Sequence, residues 1–201
     1  MDDKLKVYFD QYRGSLPPML KGLLPGTLWN GEPAIAKFRH WRSNHAPLIP
    51  TPYGTVSLIG AFDDLLHRTD GFVSIIDYKT RGSRPDAGYC EKWYASQADL
   101  YHVQLKLTGK LTPHPETFFL VFSPEECDAE YPLPDGLPVK FDVTVQTVIA
   151  HYEDGMDLIH EGAKILSGPR PDPGVNCGFC SWAEAQHRLR PVIDPTAPVM
   201  T

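Results

Sequence analysis

The sequence predicts an α/β domain with a mixed central β-sheet flanked by helices. Three observations carry that prediction. The apolar pattern runs helix, strand, strand, helix, strand, strand, helix along the chain. No Gly-x-Gly-x-x-Gly follows the first strand and no Walker lysine loop occurs, which argues against a doubly wound dinucleotide or P-loop unit. With 201 residues and 42% hydrophobic content, the chain can build one core with appendages.

Each element has a local reason. Residues 2–12 read as a helix because Leu5, Tyr8, Phe9 and Tyr12 fall on one face. Pro17, Pro18 and Pro25 break the next stretch, leaving room for a short helix over Met19–Leu24. Glu32–Trp41 reads as another helix, with Ile35, Phe38 and the stem of Arg42 near one stripe, and Pro47–Tyr53 as a proline-rich connector. Thr55–Arg68 reads as a long strand, Asp70-Gly71 as a tight turn and Phe72–Lys79 as the returning strand. Arg81–Gly88 is a polar loop. Cys90–Leu107 is the clearest helix, with Trp93, Ala98, Tyr101 and Leu105 on the face that covers the sheet and Gly109 as its stop. Thr117–Ser123 and Val139–Val145 read as strands and Gln146–Leu166 as a helix. A proline- and glycine-rich stretch, Gly168–Val175, leads to a cysteine turn and a polar tail from Arg190. These features divide the chain into an N-terminal helical segment (1–54), a core (55–168) and a C-terminal segment (169–201).

The segment Gly71–Gly82 is an apolar β-branched run ending in Asp77-Tyr78-Lys79. Strand side chains alternate faces, so Val73, Ile75, Asp77 and Lys79 share one face with only the backbone of Tyr78 between the two charged groups. In the preceding strand Ile59, Ala61 and Asp63 share a face. Asp64 points the other way with Leu58 and Phe62, toward solvent or a cap. Two carboxylates and a backbone carbonyl are hard oxygen donors suited to Mg²⁺ or Mn²⁺. A divalent ion so held lowers the pKa of a water and stabilises charge developing on a phosphate. Lys79 is placed to orient that water or neutralise the phosphate. Gln97 and Tyr101, four residues apart, share a helix face that could reach the same place.

Charge and cysteines bound the setting. The net charge of −6 argues against a nucleic-acid partner, but residues 79–110 hold six Lys/Arg against three Asp/Glu. The basic excess follows the candidate site, and the local field matters more than the total. Arg81, Arg84 and Lys92 are the candidate backbone-gripping residues there. Trp93 and Tyr94 could stack on a base, although Trp93 also reads as core. No apolar stretch is long enough to span a membrane, and the charged N-terminus lacks a secretory h-region. Cys90, Cys127, Cys177 and Cys180 read as a cytosolic set with one close pair, which places the protein in the cytoplasm. Cys90 and Cys127 read as packing residues. Cys177 and Cys180 read as a reduced pair or as half of a zinc site that His187 would extend to three ligands, one short of four.

The string Gly60-Ala61-Phe62-Asp63, then Ile76-Asp77-Tyr78-Lys79-Thr80, then Gln97-x-x-x-Tyr101 resembles the PD-(D/E)XK nuclease superfamily. It is similar in particular to the RecB-like branch, which includes nuclease domains of recombination helicase complexes and CRISPR adaptation exonucleases. The resemblance implies a restriction-endonuclease-like core in which Asp63, Asp77 and the carbonyl of Tyr78 bind metal, Lys79 is catalytic, and Gln97 and Tyr101 complete the site. It implies a metal-dependent DNA nuclease, in the first instance an exonuclease, with a helicase or adaptation complex as a possible partner. The pathway stays open among DNA repair, recombination, phage replication and CRISPR adaptation. Many such proteins place a metal-binding histidine before the first core strand, where His40 and His45 stand here. Others close on an iron–sulfur cluster, which Cys177 and Cys180 alone cannot complete, because Gln186 stands where a third C-terminal cysteine would be expected. Relatives also precede the first helix with a cysteine-bearing segment, which implies that this chain is a shortened version of a longer protein. The alternative is a catalytically inactive nuclease fold that binds DNA or a protein. His67 and His102, near the motifs, are further candidates for approach to DNA.

Overall fold

A computed structural model describes residues 2–42, 44, 46–125, 139–169 and 171–189. His45, Cys127 and the tail from Arg190 lie outside the described residues, as does the side chain of His187. The chain divides into two compact units, Met1–Lys164 and Ile165–Thr201.

Along the chain the order is α1 (Asp2–Asp10), a 3₁₀ turn (Pro18–Leu20), β1 (Gly26–Leu28), α2 (Ile35–Phe38), β2 (Ile49–Thr51), β3 (Gly54–Val56), β4 (Asp64–Arg68), β5 (Val73–Thr80), α3 (Tyr89–Leu107), β6 (Glu116–Pro124), β7 (Phe141–Ile149) and α4 (Tyr152–Ser167), the last of which runs three residues past the end of the first unit. Five strands form one sheet in the order β1-β4-β5-β6-β7, and β2 and β3 form a separate hairpin. The β5–β6 pair is parallel, and the other pairs in the sheet are antiparallel. The mixed sheet with flanking helices is the fold class read from the sequence.

β5 is the central strand. Residues 73–78 are all buried, which explains the unbroken apolar run before Asp77. On one face, Ile76 and Tyr78 pack with Phe9 of α1, Leu66, Leu120 and Phe122. On the other, Val73 and Ile75 pack with Phe62, Leu65 and Leu105, while Phe119 and Val121 of β6 pack with Cys90 and Ala98. α3 therefore covers the face that carries Asp77 and Lys79. α4 packs behind α3 through Ile159 against Val103. The approach is close at Gly155, where a Cβ would stand 2.7 Å from Val103 Cγ2 and 2.8 Å from the Asp99 carbonyl oxygen. The turn joining β4 to β5 is the expected one: Gly71 adopts φ 86° and the Phe72 N–H donates to Asp70 Oδ1 at 3.1 Å.

Several expectations need correction. Thr55–Arg68 is not one strand. Between β3 and β4 the backbone bonds away from the sheet, Phe62 N–H to the Phe38 carbonyl at 3.0 Å and the Ala46 N–H to the Leu58 carbonyl at 2.9 Å. The two-residue alternation is lost there, so Phe62 joins the α3-side cluster and does not share a face with Asp64. The helix expected over Gln146–Leu166 begins at Tyr152. Residues Gln146–Ile149 continue β7, because Thr147, Val148 and Ile149 stay in register with Phe118, Thr117 and Glu116. The helix over Glu32–Trp41 is reduced to Ile35–Phe38, and the short β1 at the sheet edge has no sequence signal.

In the second unit the cysteine turn opens a helix, α5 (Gly178–Leu189). The Cys180 N–H donates to Cys177 Sγ at 3.4 Å and holds that thiol below its ordinary pKa.

Candidate active site

Asp63 lies just before β4, and Asp77 and Lys79 at the end of β5. The Tyr78 N–H donates to Asp63 Oδ2 at 2.8 Å, which ties the first acid to the backbone between the other two residues. The parity argument for Asp77 and Lys79 holds: Lys79 Nζ stands 2.7 Å from Asp77 Oδ2. Lys79 pairs with that buried oxygen, and among the described residues no other group donates to it.

α3 brings the downstream pair to the same place. Lys79 Nζ donates to Gln97 Oε1 at 3.1 Å. Gln97 Nε2 donates to Asp77 Oδ1 at 3.2 Å and to the Tyr101 oxygen at 2.6 Å, and the Tyr101 O–H donates to Asp77 Oδ1 at 3.3 Å. The helix is set by a contact that local sequence does not reveal. Gln146 of β7 accepts the Cys90 N–H at 2.8 Å and donates to the Asp86 carbonyl at 2.7 Å, pinning the first turn of α3 to the sheet.

Asp77 is 3% exposed. Burial pushes its carboxyl up to about 6; Lys79 opposes the shift, and the charge of Asp63 adds to it. Burial and Asp77 likewise raise the Tyr101 hydroxyl, which stays a proton donor. Asp63 and Asp77 supply two carboxylates to one end of the hairpin, beside the Tyr78 backbone. This donor set of hard oxygens, with only an ammonium on the buried Asp77 Oδ2, fits a hard divalent cation. Among the described residues no group of three or more His, Cys, Asp or Glu comes together to hold a metal. His40 is exposed, accepts the Arg42 N–H and stacks on Trp41.

Asp64 departs most from expectation. It does not face solvent but is fully buried. Arg13 grips it with two bonds of 2.5 and 2.6 Å, Arg39 with one of 3.1 Å, and the Tyr78 O–H donates to it at 2.7 Å. Arg39 also donates to the Asp63 carbonyl at 2.7 Å. Both arginines pair with Asp10, whose burial would raise its pKa but whose bonds to Arg39 and Arg13 lower it on balance. This network fixes α1 and the backbone of Asp63 under the site. No motif marks Arg13 or Arg39; the only available signal was an acid adjacent to the motif acid.

Trp93 is not core. It is 61% exposed, and Tyr94 covers the sheet instead, stacked on Phe119 at 5.2 Å with Lys79 Nζ 4.5 Å over its ring. The reason is helical phase: Trp93 precedes Ala98 by five residues, about 140° away around the helix, whereas Tyr94 precedes it by four. Trp93 lines an open cleft of about 460 Å³ with Arg81, Tyr89 and Lys92. Arg81 lies 4.2 Å over the Tyr89 ring and Lys92 5.1 Å over that of Trp93. Arg84 is exposed and 4.0 Å from Asp142. His67 stands opposite Val73, at the turn end of β4 and away from Asp77, with its ring against Trp29. His102 is buried against Tyr152 of α4, and burial lowers its pKa. Cys90 is buried, as expected, and its thiol is pushed up to about 11 by burial.

Among the described residues no helix is long and apolar enough to cross a membrane. No curated protein matches the chain. The crystal structure of SSO0001 is similar over 69% of this chain at 14% identity and a TM-score of 0.40. This chain covers 55% of that one. The sequence pattern of the PD-(D/E)XK nuclease superfamily matches residues 17–185, a span that contains the hairpin, α3 and every motif residue named above. A phosphodiester-cutting lineage follows from that match, and the chain belongs to the PD-(D/E)XK nuclease superfamily.

Proposed function

We propose that this protein is a divalent-metal-dependent deoxyribonuclease, with Mg²⁺ or Mn²⁺ held by Asp63, Asp77 and the Tyr78 carbonyl. The observation that carries the reading is the single bonded cluster of Asp77, Lys79, Gln97 and Tyr101, joined to Asp63 through the Tyr78 N–H. A bound divalent ion would supply Lewis acidity toward a phosphate oxygen.

The chain's own residues do the rest. Gln97 holds the Lys79 ammonium beside the acids, so that it can meet a phosphate or orient the attacking water. Tyr101 and Gln97 fix the rotamer of Asp77 by donating to its Oδ1. The cleft lined by Arg81, Lys92 and Trp93, with Asp86 also on its wall, starts one residue of chain beyond β5 and suits a nucleic-acid strand: cations meet phosphates, and an exposed indole offers a stacking surface. That pairing favours a single strand or a DNA end, and with it exonucleolytic action. Kinship to the RecB-like branch, and a helicase or adaptation complex as partner, belong to the same proposal.

The test is cleavage of end-labelled DNA, single- and double-stranded, linear and circular, with an RNA control. Each is run with Mg²⁺, Mn²⁺ or EDTA, beside Lys79→Ala. Metal-dependent products that need an end, and that fall by about 10²–10⁴ in the variant, are expected. Cutting that survives Lys79→Ala, or no cutting by folded protein with either metal, rejects the reading.

A further inference from the structure

Asp63 has a second partner, from outside the hairpin and α3. Lys6 of α1 places its Nζ 2.9 Å from Asp63 Oδ1, with the two side chains 20% and 18% exposed. Oδ2 of the same carboxylate is taken by the Tyr78 N–H. Oδ1 is thus the oxygen left for a ligand, and an ammonium stands on it. Lys79 stands in the same way on Asp77 Oδ2. Each of the two carboxylates thus meets an ammonium group.

α1 does not depend on Lys6 for its place. Phe9 stacks on Tyr78 with centroids 4.7 Å apart, and beyond the helix Arg13 clamps Asp64. The Lys6 side chain can therefore exchange partners while its backbone stays. A divalent ion arriving at Asp63 competes with the ammonium for Oδ1. Once it wins, the displaced amine remains at the edge of the site on a flexible stem.

We propose that Lys6 is an exchangeable counter-ion of the metal site, and that after yielding Asp63 to the metal it grips a phosphate of the nucleic acid. Metal and nucleic acid are then coupled through one side chain: the ion releases the amine that helps to hold the substrate. The inference rests on the nuclease reading above and adds a phosphate-binding residue that lies outside the family match, which begins at residue 17.

The test separates the two halves. Calorimetric titration of nucleic-acid-free protein with Mn²⁺ should show Lys6→Met binding about two- to fivefold tighter than wild type, the worth of a partly exposed ion pair. Lys6→Arg, which keeps the cation, should bind like wild type. A role confined to holding α1 predicts weaker Mn²⁺ binding and a lower urea midpoint instead. In a Lys79→Ala background, anisotropy of a labelled single-stranded DNA should show Mn²⁺ strengthening binding less in Lys6→Met than with Lys6 present, with no difference in EDTA. Unchanged or weaker Mn²⁺ binding in Lys6→Met overturns the counter-ion role. An equal effect of Mn²⁺ on DNA binding with and without Lys6 overturns the phosphate role. If wild type neither binds nor cuts DNA while Lys6→Met still tightens Mn²⁺, the nuclease reading and the phosphate role fail together and the counter-ion role stands.

Discussion

Asp77→Asn is expected to stabilise the metal-free protein at neutral pH while abolishing its metal response. Asp77 is 3% exposed, and burial raises its carboxyl from the ordinary 3.8 to about 6 in spite of Lys79. Between those values the folded state binds the proton more tightly than the unfolded chain does. Stability from this group is therefore complete at low pH, falls as pH rises toward about 6, and loses nothing further above it. A shift of about 2 units at about 1.4 kcal/mol each amounts to roughly 3 kcal/mol. Asparagine cannot ionise, so the variant escapes that cost. Urea titrations of both proteins from about pH 4 to about pH 7 isolate the effect, because other carboxylates titrate alike in each. The stability difference should move by roughly 2–2.5 kcal/mol in favour of Asn across that range, the rest of the shift being expressed below pH ~4. Adding Mn²⁺ should then stabilise only the wild type. A difference that stays constant with pH, or moves toward Asp, refutes the claim that burial of an ionised Asp77 strains the metal-free site.

Four further outcomes are expected. Arg13→Ala leaves Asp64 buried with Arg39, the Tyr78 hydroxyl and the Leu65 N–H but without its bidentate cation, and should cost about 3–5 kcal/mol in a urea titration. Gly155→Ala pushes a methyl against the Asp99 carbonyl of α3, which cannot swing aside, and should cost about 1–3 kcal/mol by the same measurement. Tyr101→Phe removes a hydrogen bond that lowers the Asp77 pKa, so the acid limb of the pH–rate profile should move upward. Trp93→Ala should leave stability unchanged and weaken binding of single-stranded DNA by about 1–3 kcal/mol, measured by anisotropy.

Periodicity explains which parts of the site were legible. Asp77 and Lys79 are two residues apart on a strand, and Gln97 and Tyr101 four apart on a helix, so each pair shares a face by the geometry of its own element. The same reasoning failed where the element was assigned wrongly. Alternation through residues 57–63 puts Phe62 on the face of Asp64, but the backbone there bonds to residues 38–46 and Phe62 lies on the other face. Asp64 does face away from Leu65, beside Ile76, but α1 covers that face and Arg13 and Arg39 close over the acid, so it does not meet solvent. Trp93 is a bulky apolar residue near the stripe of Ala98, Tyr101 and Leu105, but its phase differs from that of Ala98 by more than a third of a turn, which turns it out of the core.

What the sequence determined by itself was the fold class, the β4–β5 turn, and the sharing of one face by Asp77 and Lys79 on a strand and by Gln97 and Tyr101 on a helix. Those follow from near-neighbour patterns of two and of 3.6 residues, which any stretch of chain expresses locally. Only the tertiary structure decided that Lys6 stands on Asp63, that Arg13 and Arg39 bury Asp64, and that Gln146 anchors the start of α3. These contacts span 57, 51, 25 and 56 positions of chain. No local period links such residues. The charged pairs meet because α1 is packed on one hydrophobic face of the sheet, and Gln146 meets α3 because that helix is packed on the other; the pairing is a consequence of that packing, not its cause.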